Sequence, residues 1–218
     1  QIKKVKKELD ALKNKIVVLA AMVRRAVQES VSSVVSGDCK LAQEIVDGDQ
    51  VIDQAEVDIE EDCLKMLALY QPVATDLRFI VAVLKINNDL ERVGDLAVNI
   101  AERTVFLANH PPLAISFDFT PINEKALDMF SRSLDALIRQ DAQKAREIPA
   151  LDNEVDALNR EMYAKVSAAV LQKPEYVEHL LNYLSVSRYL ERIADYATNI
   201  AEDVIYLMEG EIVRHKGI

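Results

Sequence analysis

Leu90-Glu91-Arg92-Val93-Gly94-Asp95-Leu96-Ala97-Val98-Asn99-Ile100-Ala101-Glu102 recurs, without a gap, as Leu190-Glu191-Arg192-Ile193-Ala194-Asp195-Tyr196-Ala197-Thr198-Asn199-Ile200-Ala201-Glu202. Nine of these thirteen pairs are identical, more than a shared apolar rhythm alone produces. The offset of 100 residues is too long for a solenoid repeat and spans a whole folding unit. The chain therefore reads as one architecture written twice.

Each copy of this stretch lies in a long helix. Phe79, Val83, Ile86, Leu90, Val93, Ala97, Ile100, Thr104 and Leu107 alternate at four and three residues, as do Tyr183, Val186, Leu190, Ile193, Ala197, Ile200, Val204 and Leu207. That spacing is a bundle seam. Upstream, Ile2, Val5, Leu9, Leu12, Ile16, Leu19, Val23, Val27 and Val31 form the stripe of a first amphipathic helix, which stops near Ser36-Gly37-Asp38. A second helix is expected from about Cys39 to Tyr70, irregular at Asp47-Gly48-Asp49. Gln71-Pro72 then opens the third, since proline is tolerated in a first helical turn. His110-Pro111-Pro112 ends it.

The same trio follows at about Ile122–Arg139, Asp141–Gln172 and Pro174–Gly210. The expected fold is all-α, two tandem three-helix bundles at residues 1–109 and 122–218, joined by a linker at 110–121. Asp49-x-x-x-Asp53 matches Asp152-x-x-x-Asp156, and Asp38 matches Asp141, at an offset of 103. The second copy thus lacks three residues, a deletion expected at the turn near Gln71 or Gln172.

Composition agrees with long helices: 218 residues contain only 5 Gly and 6 Pro. Acidic side chains outnumber basic ones, 36 to 26, and a formal charge of −10 repels nucleic acid. Lys3, Lys4, Lys6, Lys7, Lys13 and Lys15 make one local basic patch. Without a spanning apolar run or a signal core, the expected location is cytoplasmic, with at most a peripheral relation to a membrane. Cys39 and Cys63 are too few for a disulfide framework and read as structural thiols.

On a helical wheel Glu91, Asp95, Asn99 and Glu102 fall within an arc of about 80°, roughly opposite the seam. Asp49 and Asp53 share a face of the preceding helix, near enough to its seam to approach Glu91 and Asp95. Asp152, Asp156, Glu191, Asp195 and Asn199 repeat the arrangement. One exposed acid pair merely keeps a helix wet, and Arg92 and Arg192 could balance it by salt bridges of under about 1 kcal/mol. Recurrence in both halves points instead to metal binding by oxygen ligands, suited to Mg²⁺, Ca²⁺, Mn²⁺ or iron. Asn99 and Asn199 are candidate ligands, or hydrogen-bond partners of the carboxylates.

Catalysis has no evident residues. His110, His179 and His215 all lie outside the acid motifs, so the inward Glu-x-x-His pattern of a carboxylate-bridged di-iron oxidase is missing. Neither a phosphate loop nor a Cys/His zinc pattern is present. A metal-dependent oxidase or a metal-storage bundle remains the alternative to a non-enzymatic protein.

The run Gln71-Pro72-Val73-Ala74-Thr75-Asp76-Leu77-Arg78-Phe79, leading into Leu84-Lys85-Ile86-Asn87-Asn88-Asp89-Leu90-Glu91-Arg92-Val93-Gly94-Asp95, resembles the PhoU family, accessory regulators of phosphate-specific transport. The Tyr189–Asp195 copy supports the resemblance, which covers essentially the whole chain. It implies two three-helix bundles, each with surface metal clusters, multinuclear where several ions bind. Their ligands would be Asp49, Asp53, Glu91 and Asp95, and Asp152, Asp156, Glu191 and Asp195, holding iron, manganese, magnesium or zinc. Glu56 faces Asn159 across the repeat and Glu60 faces Tyr163, so the second cluster is expected to hold fewer ions. The resemblance further implies a negative regulator of phosphate uptake and of the phosphate-starvation response. Its partners would be the phosphate transporter ATPase, a sensor histidine kinase and a second copy in a homodimer. Gln71–Arg78 is either a partner-contact surface or a helix start with Asp76 and Arg78 in local ion pairs.

Overall fold

A computed structural model describes residues 2–210; His215 and the remainder of the second predicted bundle, 211–218, lie outside the described residues. Six α-helices follow in order: α1 (Ile2–Ser36), α2 (Cys39–Tyr70), α3 (Ala74–Ala108), α4 (Thr120–Arg139), α5 (Ala142–Gln172) and α6 (Val177–Glu209). α1, α2 and α3 pack on one another, as do α4, α5 and α6. α3 lies against α6, and α1 touches α4. The fold is the expected pair of three-helix bundles.

Local chemistry sets the boundaries. Asp38 caps α2 by accepting from Leu41 N at 3.0 Å, and Asp141 caps α5 by accepting from Lys144 N at 3.1 Å. Pro121 sits in the first turn of α4, where its missing N–H has no partner to lose. Gly210, at φ 70°, ends α6 in the left-handed region.

Three details differ from the sequence reading. α2 runs unbroken through Gly48, because tertiary packing of its flanking Ile45 and Ile52 outweighs the roughly 1 kcal/mol propensity cost of one glycine. α3 starts at Ala74, not at Gln71-Pro72: Gln71 (φ 45°) and Ala74 (φ 53°) are both left-handed, and the chain turns between them. A single 3-10 turn, Pro174–Tyr176, precedes α6. Gln71–Val73 thus join α2 to α3, whereas Lys173 and the Pro174–Tyr176 turn join α5 to α6.

Buried side chains of both bundles form one continuous core. The two seams supply much of it: Val83, Ile86, Leu90, Val93, Ala97 and Ile100 from α3, and Val186, Leu190, Ile193, Ala197, Ile200 and Val204 from α6, are fully buried. Each large aliphatic side chain so placed contributes about 1.5–3 kcal/mol. Thr104 closes the α3 seam through a 2.7 Å hydrogen bond between its hydroxyl and that of Ser33 on α1. Because seam residues point inward, the acid stripes of α3 and α6 stay outside the core, next to α2 and α5.

Candidate metal centre

Gly94 lets α2 and α3 approach closely enough for their acids to meet. A Cβ at this position would lie 3.2 Å from Ile52 Cγ2 and 3.5 Å from Asp49 Oδ1. In the second bundle the equivalent helix carries Ala194, and the residue matching Ile52 is the smaller Val155. The second bundle thus has one methyl group more on α6 and one fewer on α5 at these positions.

Carboxylate oxygens of Asp49, Asp53 and Asp95 lie within 4.8 Å of one another. Asp49 and Asp95 are half-buried and Asp53 is exposed. Asp49 Oδ1 is buried with no hydrogen-bond donor. Loss of water, with Asp53 and Asp95 adding repulsion, pushes the Asp49 carboxyl up to about 6. Burial, a side-chain hydrogen bond with Asp95 and the nearby charges of Asp95, Asp53 and Glu56 push Glu91 up to about 7. Glu56 is itself raised, by burial first and then by Glu60 and Asp53. Burial and neighbouring carboxylates are the leading causes of all three shifts, so the first cluster is a concentration of negative charge.

The second bundle repeats the arrangement with one substitution. Asp152 Oδ1 is again buried without a donor, and loss of water, then Asp195 and Asp156, raise its carboxyl to about 6. Asp195 also rises to about 6 through lost hydration, then Glu191 and Asp156, with Arg192 opposing. Glu191 is raised by burial and by Asp156, but Asn159 works the other way by donating Nδ2 to Glu191 Oε2 at 3.0 Å. The Asn159 amide is held in turn by Ser187, whose hydroxyl donates to Oδ1 at 2.8 Å. In the first copy those two positions are Glu56 and Asn87, and Asn87 Nδ2 donates to the Glu56 backbone carbonyl at 2.9 Å instead. The sequence marked the Glu56–Asn159 exchange, but nothing in the spacing showed that Ser187 and Asn87 connect α6 and α3 to it.

Asn99 and Asn199 stand one helical turn beyond Asp95 and Asp195. They line an open cleft of about 490 Å³ between α3 and α6, together with Arg92, Asp95, Leu96, Arg192, Asp195 and Tyr196. Arg92 and Arg192 are exposed at this cleft and make no ion pair within 4 Å among the described residues, although the Arg192 charge still opposes the rise of Asp195. Likewise Arg78 is not paired with Asp76: its Nε donates to the Leu207 carbonyl at 3.3 Å, near the C-terminal end of α6.

Two buried carboxylate oxygens without donors, surrounded by further carboxylates, fit a hard cation with oxygen ligands. A cation would satisfy both orphaned atoms and remove the repulsion that raises the neighbouring pKa values. Asp49, Asp53, Glu91 and Asp95 would hold it in the first bundle, and Asp152, Asp156, Glu191 and Asp195 in the second.

Known proteins place this arrangement in context. The pattern of the family described as the PhoU domain matches residues 16–104 and again 120–204, one match per bundle. A protein of Aquifex aeolicus, named phosphate-specific transport system accessory protein PhoU homolog, is 40% identical over 97% of this chain and 96% of its own length. A homolog of the same name in Pseudomonas aeruginosa is 34% identical over 97% of this chain and 88% of its own. Among solved structures, PhoU from Pseudomonas aeruginosa superposes with a TM-score of 0.90 at 32% identity, covering 94% of this chain and 99% of that one. The phosphate transport system regulatory protein PhoU from Streptococcus pneumoniae gives 0.89 at 28% identity, covering 96% and 99%. With both bundles matched and relatives aligned along nearly the full chain, this chain belongs to the PhoU family.

Proposed function

We propose that the protein is a metal-binding regulatory adaptor of a phosphate transport system, restraining phosphate uptake and the phosphate-starvation response. The observation that carries this reading is the twice-built acid cluster, each copy with a buried carboxylate oxygen, on Asp49 and on Asp152, that no protein donor satisfies. A bound cation supplies charge neutralisation and ties α2 to α3, and α5 to α6. The chain's own residues do the rest: the seams hold each helix pair in register, and Asn159 tunes the second cluster. A role at the cytoplasmic face fits a chain whose described helices include none long and apolar enough to cross a membrane.

The partners in this reading are the phosphate transporter ATPase and a sensor histidine kinase, met by a homodimer of this chain. The turn from Gln71 to Ala74 is the surface we assign to them. It combines two left-handed non-glycine residues with exposed Leu69 and Val73, while Arg78 fixes its α3 side to the end of α6. The turn is thereby tied to the relative position of the two bundles. Elemental analysis of native protein and of Asp95→Ala, Asp195→Ala and the double variant tests the metal half, and bound metal should fall stepwise. Co-purification of the transporter ATPase and the kinase with wild type and with Val73→Asp tests the adaptor half, and loss of both partners in the variant is expected.

The second reading, a carboxylate-bridged oxidase or a metal store, is favoured only by the oxygen-rich donor set. Oxygen consumption and a bridged-iron absorption band after Fe²⁺ loading would establish it in place of the adaptor.

A further inference from the structure

The cleft between α3 and α6 is lined in matched pairs: Arg92 with Arg192, Asp95 with Asp195, Leu96 with Tyr196 and Asn99 with Asn199. Each pair is separated by the repeat offset of 100, so the two bundles bring the same four positions to the lining. Four of the eight residues bring N–H donors, two guanidinium groups and two amides. Neither Arg92 nor Arg192 belongs to an ion pair within 4 Å among the described residues. Arg192 does act on Asp195 through its charge, but two arginine forks outside any close ion pair at one polar cleft, in a chain of net charge −10, are not explained by the core.

We propose that this cleft is a binding site for one tetrahedral phosphate group, gripped from opposite sides by Arg92 and Arg192 with Asn99 and Asn199 as further donors. Arginine presents a planar fork suited to two oxygens of a phosphate. A tetrahedral phosphate offers two oxygens to each of two forks, which matches the paired lining. A planar carboxylate, with two oxygens in all, can satisfy only one of the two forks bidentately. The volume of about 490 Å³ leaves room for the anion and ordered water.

Asp95 and Asp195 are the lining groups that oppose an anion. Here the inference rests on the metal reading, because a cation held by those carboxylates removes the opposition. Phosphate binding and metal loading are then coupled, each favouring the other by the same factor. A phosphate-dependent regulator gains from this a direct sensor of its own signal.

The test is isothermal titration of the full chain, loaded with Mn²⁺ and of verified metal content, with inorganic orthophosphate and separately with O-phosphoserine. Arg92→Gln, Arg192→Gln and the double variant follow, with circular dichroism and metal content measured on the same samples. The expected result is one orthophosphate per chain, weakened roughly 10-fold by each single variant and more by the double, with metal content unchanged. Binding of the ester as well assigns the site to phosphoryl groups in general; binding of orthophosphate alone assigns it to the free anion. No binding of either by metal-loaded protein overturns the inference, as does a double variant that binds like wild type. If no Mn²⁺ loads, the metal reading fails by itself. Phosphate binding by metal-free protein that still requires both arginines would then sustain this inference, and its absence would end it.

Discussion

Asn159 donates Nδ2 to Glu191 Oε2 at 3.0 Å, in the position where the first bundle sets Glu56 near Glu91. One amide for one carboxylate separates two otherwise matching clusters. The first carries an extra negative charge with no donor to offset it. The second has a neutral group that holds one ligand still before any cation arrives.

Asn159→Glu should therefore make the second cluster resemble the first. It removes the hydrogen bond to Glu191 and leaves Ser187 bonding a carboxylate, so metal-free protein should lose about 1–2 kcal/mol of stability. With Mn²⁺ present the change should reverse, and bound metal per chain should rise. Glu56→Asn should do the opposite in the first bundle. Melting temperature with and without metal, together with elemental analysis, checks both; an Asn159→Glu protein with unchanged metal content would show that position 159 does not set capacity.

The α2–α3 contact yields a second prediction. Alanine is favoured over glycine by roughly 1 kcal/mol inside a helix, but at position 94 its Cβ would press on Ile52 Cγ2 at 3.2 Å. Ile52 is buried and β-branched, so it yields poorly. Gly94→Ala should be neutral or destabilising alone, yet stabilising relative to glycine in an Ile52→Ala background, which removes Cγ2; Ile52→Val deletes only Cδ1, at 3.8 Å, and should give little relief. A denaturant double-mutant cycle should show favourable coupling of about 0.5 kcal/mol or more. Additive effects would mean that the two positions do not compete for the same space.

Much of this was readable in advance, and the reasons are specific. Seams of α3 and α6 show in the sequence because Leu90 and Leu190 lie in unbroken four-three patterns that packing has no cause to override. The carboxylates of Asp49, Asp53 and Asp95 could be brought together on paper because helical geometry fixes which residues share a face. The start of α3 was misplaced because Pro72 is as compatible with a turn as with a first helical turn, and left-handed Gln71 and Ala74 carry no glycine signal. Arg78 bonding Leu207, and Arg92 meeting Arg192 at one cleft, were hidden because they depend on how α3 and α6 pack across 100 residues or more of chain.

The turn residues matched at the offset of 103 supply a third prediction. Asp38 and Asp141 each satisfy a backbone N–H at a helix start, so Asp38→Ala and Asp141→Ala should each cost about 1 kcal/mol. Asn in place of Asp should recover most of the loss, since the cap needs an acceptor more than a charge. Neither change touches the acid clusters, so bound metal should stay constant while the denaturation midpoint falls.

Acidity provides the last prediction. Folding raises the carboxyls of Asp49, Asp152 and Asp195 to about 6 and that of Glu91 to about 7, above their ordinary carboxylate range. Between roughly pH 4 and 7 the folded chain then holds more protons at these groups than the unfolded chain does, and linkage makes their contribution to stability fall as pH rises through that window. Glu209 and Asp118, lowered by Arg146 and by Thr120 respectively, act in the opposite sense at lower pH. The comparison that isolates the cluster is therefore wild type against Glu91→Gln, both free of metal. Glu91→Gln should be the more stable of the two at pH 7.5, with the advantage shrinking toward pH 5 as Glu91 takes up its proton. Adding Mn²⁺ should reverse the order at pH 7.5, because the cation needs the deprotonated carboxylate that the metal-free fold disfavours, and proton release should accompany loading. An advantage for Glu91→Gln that is independent of pH would show that crowding, not charge, strains the metal-free cluster.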